Sequence, residues 1–187
     1  EAHLLALPLP GGDRAAREPW RMASSVLEAL GRGDEIAERF REIPNSGMIR
    51  KVIPNSRLSG VTTAMGRWFD AASALLGLCL TQHDEATAAM RLESAAEGKT
   101  PREFGKLWEI LPDGSMLADT PHDPDAVSQA SADFHEAVAR ALSDWILQLT
   151  GPDEADLPLC LSGGCFLNRR MTVRLISLLG RAGIHPL

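Results

Sequence analysis

The sequence contains few cysteines, and their spacing does not match a common metal or redox site. The three cysteines are Cys79, Cys160 and Cys165, and no two of them form a CxxC pair. A metal-binding or redox-active thiol pair of that type is therefore not predicted. Two of the three lie in apolar stretches, where a reduced thiol behaves as a small hydrophobic side chain. This use of cysteine favours a reducing compartment.

Long apolar segments and an excess of positive charge are also missing. No apolar run approaches the length that crosses a bilayer, and Glu1–Ala2–His3 lacks the basic and apolar regions that open a signal peptide. The formal net charge is −6, whereas a general nucleic-acid-binding surface is normally basic. We therefore expect a cytoplasmic protein that has neither a membrane nor a nucleic acid as its partner.

The composition is that of one globular unit. With 187 residues, 44% of them hydrophobic, the chain is long enough for one well-buried core and short for two. It begins without Met and stops at residues 184–187, where a new apolar strand is predicted to begin. We expect a fragment of a longer protein, and a single unit over residues 1–187.

The most informative stretch follows the order strand, glycine turn, helix. Leu157–Leu161 is a short apolar run typical of a buried strand, Ser162–Gly164 predicts a turn, and Phe166–Arg181 carries apolar residues at helical spacing. We expect the helix to bury Met171, Leu175 and Leu178 against a sheet.

The paired glycines in this stretch are a candidate site for binding an anion. Gly163 and Gly164 let the backbone approach another molecule closely, and the helix N-terminus beyond them offers unpaired N–H groups to an anion, most simply a phosphate. Asn168 lies at the start of that helix, where its amide could cap the turn or reach a ribose or phosphate oxygen. The alternative is a strand-to-helix turn that is merely tight.

A second informative segment runs from Thr62 to Asp70. Thr62 or Thr63 is predicted to cap a helix with apolar residues on one side. Gly66 in the first turn costs about 1 kcal/mol of helix propensity against Ala, which indicates close approach by a ligand or by another helix. Asp70 is either a ligand-binding carboxylate or a charge on the helix surface.

Further elements are predicted from periodicity and turn residues. His135 lies one residue off the apolar stripe of the longest helix, which indicates a partly buried structural histidine. Arg14, Arg17 and Arg21 form either a solvated basic stripe or an anion contact. The other predicted elements are a strand at His3–Pro8, helices beginning near Pro19, after Asp34 and over Gln82–Glu97, a hairpin at Phe104–Ala118, and the longest helix at Asp125–Thr150.

Three of these segments resemble one protein family. Residues 162–169, SGGCFLNR, resemble the SGG-[VC]-F-x-N-R signature of the HypF family of hydrogenase-maturation carbamoyltransferases, in its C-terminal nucleotide-binding part. Residues 62–77 resemble the family pattern TSS-x-GR-x-FDA-x-x-A-LLG, with Thr63–Ala64 in place of Ser–Ser, and residues 10–21, PGGDRAAREPWR, are similar to a third family segment. The resemblance extends over nearly the whole chain.

The resemblance implies an α/β fold of the actin-like ATPase (ribonuclease H-like) superfold, present as a helix-rich partial domain. Residues 61–187 would form the nucleotide-binding part, and residues 1–60 a helical insertion or connecting part. No catalytic side chain and no metal-binding set is assigned within the chain. The residues that the resemblance and the turn chemistry assign to nucleotide binding are Gly66, Asp70, Ser162, Gly163, Gly164 and Asn168.

The function implied by the resemblance is ATP-dependent carbamoyl transfer. The family uses ATP with Mg and carbamoyl phosphate to make carbamoyl-adenylate, then passes the carbamoyl group to the C-terminal cysteine of a HypE-type acceptor protein, during synthesis of the cyanide ligands of NiFe hydrogenase. A metal held by residues outside this chain is also implied. The alternatives are a tRNA threonylcarbamoyladenosine-forming enzyme and a non-catalytic, nucleotide-regulated scaffold; Phe166 and the segment at residues 10–21 favour the hydrogenase branch.

Overall fold

The computed structural model describes residues 3–102, 123–150 and 158–187. The predicted hairpin at Phe104–Ala118 lies outside these residues. Short 3-10 turns occur at Gly33–Glu35, Ser46–Met48 and Gly164–Leu167. The regular elements are β1 (Leu7–Pro10), α1 (Arg14–Arg17), α2 (Pro19–Ala29), α3 (Ile36–Arg39), α4 (Ile49–Val52), β2 (Ser59–Thr62), α5 (Met65–Leu75), α6 (Thr87–Ala95), α7 (Pro124–Leu149) and α8 (Arg169–Arg181).

The two strands form an antiparallel pair. Leu7 lies opposite Thr62, and Pro10 lies opposite Ser59. The prediction of a strand at His3–Pro8 is therefore right in kind but shifted along the chain. Pro8 and Pro10 have no N–H to donate, and this sheet tolerates them because each strand has one edge that no other described strand pairs with.

Helices α2 and α5 pack together at the centre of the described core. The helix predicted near Pro19 is confirmed as α2, and its Trp20, Ala23 and Leu27 are buried. From α5, Phe69 meets Phe134 of α7 edge to face, with ring centroids 5.2 Å apart. Aromatic pairs in this geometry add a favourable contribution beyond the area that they bury. This contact fixes α5 against the longest helix.

Helix α8 packs along α7 rather than on a sheet. Met171, Leu175 and Leu179 are fully buried, whereas Leu178, which we predicted in this role, is only partly covered. Among the described residues the contacting surface belongs to a helix, so the expectation of a sheet beneath α8 is wrong. The four-residue spacing of the buried side chains gives the narrow stripe that suits a helix partner.

The strand predicted at Leu157–Leu161 is wrong in its described part. Residues 158–161 have no regular secondary structure, and Cys160 is exposed. The N–H of Leu187 donates to the carbonyl of Leu159 at 2.9 Å. A strand needs a ladder of such bonds along a neighbour, and one bond does not make a ladder.

The proposed boundary at residue 60 lies within a continuous core. Strand β1 pairs with β2, and α2 packs on α5, so both contacts cross that boundary. The division into a connecting part and a nucleotide-binding part stays a prediction. No helix within the described ranges is both long and apolar enough to cross a membrane.

Candidate functional site

The glycine loop, residues Ser162–Cys165, lies between the irregular residues 158–161 and α8. Gly163 has φ +110°, a backbone conformation that residues other than glycine rarely adopt. Gly164 begins the 3-10 turn that ends at Leu167, and Ser162, Gly163 and Gly164 are all exposed. A Cβ added at Gly163 or Gly164 would meet no described atom within 4 Å. The backbone of the loop is therefore open to a ligand.

The glycine loop contacts the N-terminal end of α5. Cys165 is partly buried there; burial raises the pKa of its thiol, and Asp70, Arg67 and the Gly66 backbone also act on it. The two segments singled out in the sequence thus meet in space. A Cβ added at Gly66 would meet nothing within 4 Å, so no other helix of the described residues explains this glycine.

Asp70 is a buried carboxylate, so its interpretation as a surface charge is wrong. Its residue is 1% exposed, its Oδ2 lies 2.9 Å from Arg67 Nη2, and its Oδ1 accepts a hydrogen bond from Gln82 Nε2 at 3.2 Å. Burial raises the pKa of Asp70 from 3.8 to about 6, although the charge of Arg67 and the hydrogen bond from Gln82 act to lower it. A ligand reaches this carboxylate only if Arg67 or Gln82 moves.

Gln82 is a buried residue of this region that the sequence analysis did not identify. Its Nε2 also donates to the carbonyl of Ala16 at 2.6 Å, and its Oε1 accepts from the N–H of Ala88 at 2.8 Å. The side chain therefore ties α5 to the start of α6 and to the end of α1. A single polar residue between two helices carries no periodic signal, so only the tertiary structure identifies it.

Asn168 takes the capping role that we left open for it. Its Oδ1 accepts from the N–H of Met171 at 2.9 Å, which caps α8. Its Nδ2 lies 3.0 Å from Nε2 of His135, and the residue is 8% exposed. Both ends of the amide are therefore engaged inside the protein, directly behind the glycine loop.

His135 is more deeply buried than predicted. It is 1% exposed, its Nδ1 lies 2.7 Å from the carbonyl oxygen of Ser131, and its ring is 5.6 Å from that of Phe69. Burial lowers the pKa of His135. The sequence predicted a structural histidine, and it did not predict the contact with Asn168.

The basic stripe at Arg14 and Arg21 is paired with an acid in its middle. Both guanidinium groups bind the carboxylate of Glu18, Arg14 Nη2 at 2.7 Å from Oε1. Burial opposes ionisation of Glu18, yet hydrogen bonds from Arg21 and Arg14 lower its pKa. Arg14 and Arg21 therefore do not form an open anion site, and Arg17, the third residue of the stripe, is exposed.

A metal centre has no residues to hold it in the described part of the chain. Groups of three or more His, Cys, Asp or Glu side chains that could bind one ion are absent from residues 3–102, 123–150 and 158–187. We therefore assign no described residue to binding the metal that the resemblance implies.

Comparison with known sequences identifies relatives along the entire chain. A family described as "Carbamoyltransferase, Kae1-like Domain, second subdomain" matches residues 1–187. Carbamoyltransferase HypF2 of Cupriavidus necator is 36% identical over 99% of this chain and 27% of its own length. Carbamoyltransferase HypF of Rhizobium leguminosarum bv. viciae is 33% identical over 98% of this chain and 24% of its own length. The chain thus spans about a quarter of these relatives.

Solved structures agree with the sequence comparison. A full-length HypF, crystallised in a phosphate- and nucleotide-bound form, matches 98% of this chain and 25% of its own with a TM-score of 0.76 and 25% identity. HypF of T. kodakarensis matches 98% of this chain and 26% of its own with a TM-score of 0.79 and 23% identity, which shows the fold alone. The predicted helix-rich part of an actin-like domain is confirmed. The chain therefore belongs to the HypF carbamoyltransferase family, as the second subdomain of its Kae1-like domain.

Proposed function

We propose that this chain supplies the phosphate-binding loop of an ATP-dependent carbamoyltransferase. The whole protein would form carbamoyl-adenylate from carbamoyl phosphate and ATP with Mg, and pass the carbamoyl group to the C-terminal cysteine of a HypE-type acceptor. This reaction would serve cyanide-ligand synthesis during NiFe hydrogenase maturation in the cytoplasm. The relatives of this chain are named carbamoyltransferases, which supports this function over tRNA modification.

The open backbone of the glycine loop is the observation that carries the proposal. Among the described residues, the N–H groups of Gly164 and Cys165 donate no hydrogen bond. They precede the N-terminus of α8, where the partial positive charge of a helix favours a phosphate. The crystallised HypF relative was obtained with phosphate and nucleotide bound, which supports a ligand of the same chemistry here.

The chemistry asks little of a side-chain nucleophile. Water would first release inorganic phosphate from carbamoyl phosphate and leave carbamate, whose oxygen would then attack the α-phosphorus of ATP and release pyrophosphate. Such phosphoryl chemistry depends mainly on positioning and on stabilisation of charge. The glycine loop would supply the positioning, and Arg67, which acts on the thiol of Cys165 in the loop, places a positive charge beside it. In this proposal Asp70 would contact the ribose after giving up its hydrogen bond from Gln82.

Pyrophosphate exchange in the full-length protein tests the proposed reaction. Labelled pyrophosphate should enter ATP only when carbamoyl phosphate is present, because the reversible step forms carbamoyl-adenylate. A nucleotide-regulated scaffold would bind ATP and show no exchange at all. Exchange that depends instead on a threonine-derived carbamate would assign the protein to the tRNA-modifying branch and contradict the proposal.

A further inference from the structure

A buried histidine joins the longest helix to the residue that follows the glycine loop. His135 of α7 and Asn168 at the start of α8 are 33 residues apart in sequence, and their nitrogens Nε2 and Nδ2 lie 3.0 Å apart. Both residues are buried. A polar contact between two enclosed side chains is costly to break, because each group is then left without a partner.

The geometry leaves one arrangement of hydrogens in this contact. Oδ1 of Asn168 accepts from the N–H of Met171, so the amide nitrogen, which only donates, faces His135. Nε2 of His135 must therefore be the acceptor. Nδ1 lies 2.7 Å from the carbonyl oxygen of Ser131, which only accepts, so Nδ1 carries the proton. His135 is thus a neutral imidazole in its Nδ1–H form.

The cap made by Asn168 is tied to the glycine loop by further bonds. The N–H of Asn168 donates to the carbonyl of Cys165 at 3.1 Å. The hydroxyl of Thr172, one turn into α8, donates to the carbonyl of Phe166 at 2.8 Å. These bonds connect the first turn of α8 to the end of the glycine loop and to Phe166, which follows it.

We infer that His135 is a positioning residue for the proposed nucleotide site: by accepting from Asn168, it fixes the amide that caps α8 and so holds the glycine loop in place. The expected effect of His135 on ATP affinity rests on the proposed function. Its effect on the conformation of the glycine loop does not, because that effect follows from the hydrogen bonds alone.

A second proton on His135 would oppose this arrangement. Its Nε2–H would face the N–H of Asn168, so the amide would either lose this contact or turn over and release Met171. Burial keeps the ring neutral by lowering its pKa. The carbonyl of Ser131 and the charge of Glu93 of α6 favour protonation of the ring, and the charge of Arg170 of α8 opposes it. The ring of Phe69 of α5, which is uncharged, packs against it.

Two substitutions separate the hydrogen bond from packing. His135→Gln keeps an acceptor oxygen near the position of Nε2, whereas His135→Leu fills the space without one. In the full-length protein at neutral pH, His135→Leu should speed amide hydrogen exchange over residues 163–172 by about tenfold or more and weaken ATP binding by about tenfold. His135→Gln should stay close to the parent in both, and the amides of α2 should exchange alike in all three proteins.

The inference is overturned if His135→Gln and His135→Leu speed amide exchange over residues 163–172 equally, or if His135→Leu does not speed it at all. If His135→Leu speeds this exchange but the parent protein does not bind ATP, the proposed function is contradicted, whereas the role of His135 in positioning the loop is supported. If His135→Leu does not fold, nitrogen NMR of labelled histidine in the parent decides the matter. A neutral Nδ1–H ring at His135 is expected, and an Nε2–H ring or a charged ring at neutral pH would overturn the inference.

Discussion

Asp70 shows at the scale of one residue how burial changes the meaning of a sequence motif. Its carboxylate lies under Arg67 and Gln82, which a helical pattern could not reveal because both helix faces of this segment are covered. Gly66, Gly163 and Gly164 could be chosen from the sequence, since glycine in these contexts indicates an open or unusual backbone. Gln82 could not, because its partners are distant in the chain.

Replacing Asp70 tests its contact with the nucleotide. If the carboxylate contacts the ribose, Asp70→Ala removes hydrogen bonds to a charged acceptor, each worth about 1.5–3 kcal/mol. ATP affinity in the full-length protein should then fall about ten- to a hundredfold, as measured by calorimetry. An unchanged dissociation constant would show that Asp70 only anchors Arg67 and Gln82.

The raised pKa of Asp70 predicts a pH-dependent stability. The folded protein binds a proton at this carboxyl below about pH 6, while the unfolded chain does so only near its ordinary value of 3.8. Stability should therefore rise as the pH falls from about 6 toward 3.8. Against Asp70→Asn, which cannot titrate, the parent should gain about 1 kcal/mol between pH 7 and pH 5. Denaturation followed by tryptophan fluorescence measures this, and a difference independent of pH would contradict it.

Helix α5 begins without the cap that its position calls for. Ala64 occupies the N-cap position in an extended conformation, and no side chain there accepts a hydrogen bond. We predicted capping by Thr62 or Thr63, which is wrong because Ala64 is the residue that lies at the helix start; the hydroxyl of Thr62 accepts from the N–H of Ala64 instead.

Restoring the cap should stabilise the protein. Ala64→Ser places a hydroxyl where it can accept from a first-turn N–H, and such caps contribute about 0.5–2 kcal/mol. Ala86→Ser is the matched control, because Ala86 precedes α6 in a left-handed conformation with φ 67°, which does not suit a side-chain cap. The free energy of unfolding should rise for the first variant and not for the second; equal effects would contradict this prediction.

Elements with long apolar periodicity were predictable, and those fixed by tertiary contacts were not. Helix α7 runs over Pro124–Leu149 against the predicted Asp125–Thr150, because its stripe repeats over many turns. Strand β2 has only four residues and no alternating pattern, so its pairing with β1 decides its structure. Helix α6 begins at Thr87 rather than Gln82, since the side chain of Gln82 is held by Asp70 and Ala88.

Across the whole molecule, one end of α7 leaves apolar surface uncovered by the described residues. Val127, Phe134 and Val138 on the apolar stripe of α7 are buried, but Leu149, further along the same stripe, is 54% exposed. The same helix also contributes Val138, Leu142 and Trp145 to an apolar groove of about 290 Å³, which is lined in addition by Leu4, Met65 and Trp68. Exposed apolar surface is typical of an interface with other protein.

This surface predicts that the 187-residue chain differs from the full-length protein in solubility and in ATP affinity. Produced alone, the chain should be poorly soluble or depend on a partner, and it should bind ATP far more weakly, because relatives carry about three quarters of their length elsewhere. Parallel calorimetric titrations of both proteins would measure the difference. Equal ATP affinity would show that the entire nucleotide site lies within these residues.

The most direct test of the phosphate-binding loop is an ATP titration of full-length Gly164→Val. A Cβ added at Gly164 meets no described atom within 4 Å, so we expect the fold to be kept while the valine side chain blocks the approach of a phosphate. Gly180→Val serves as the control, because an added Cβ is also unobstructed there and Gly180 lies roughly 16 Å along α8 from its first residue, Arg169. We predict that Gly164→Val binds ATP at least about tenfold more weakly than the parent, with Gly180→Val unchanged. Parent-like ATP affinity in a folded Gly164→Val protein would contradict the assignment of this loop to the nucleotide.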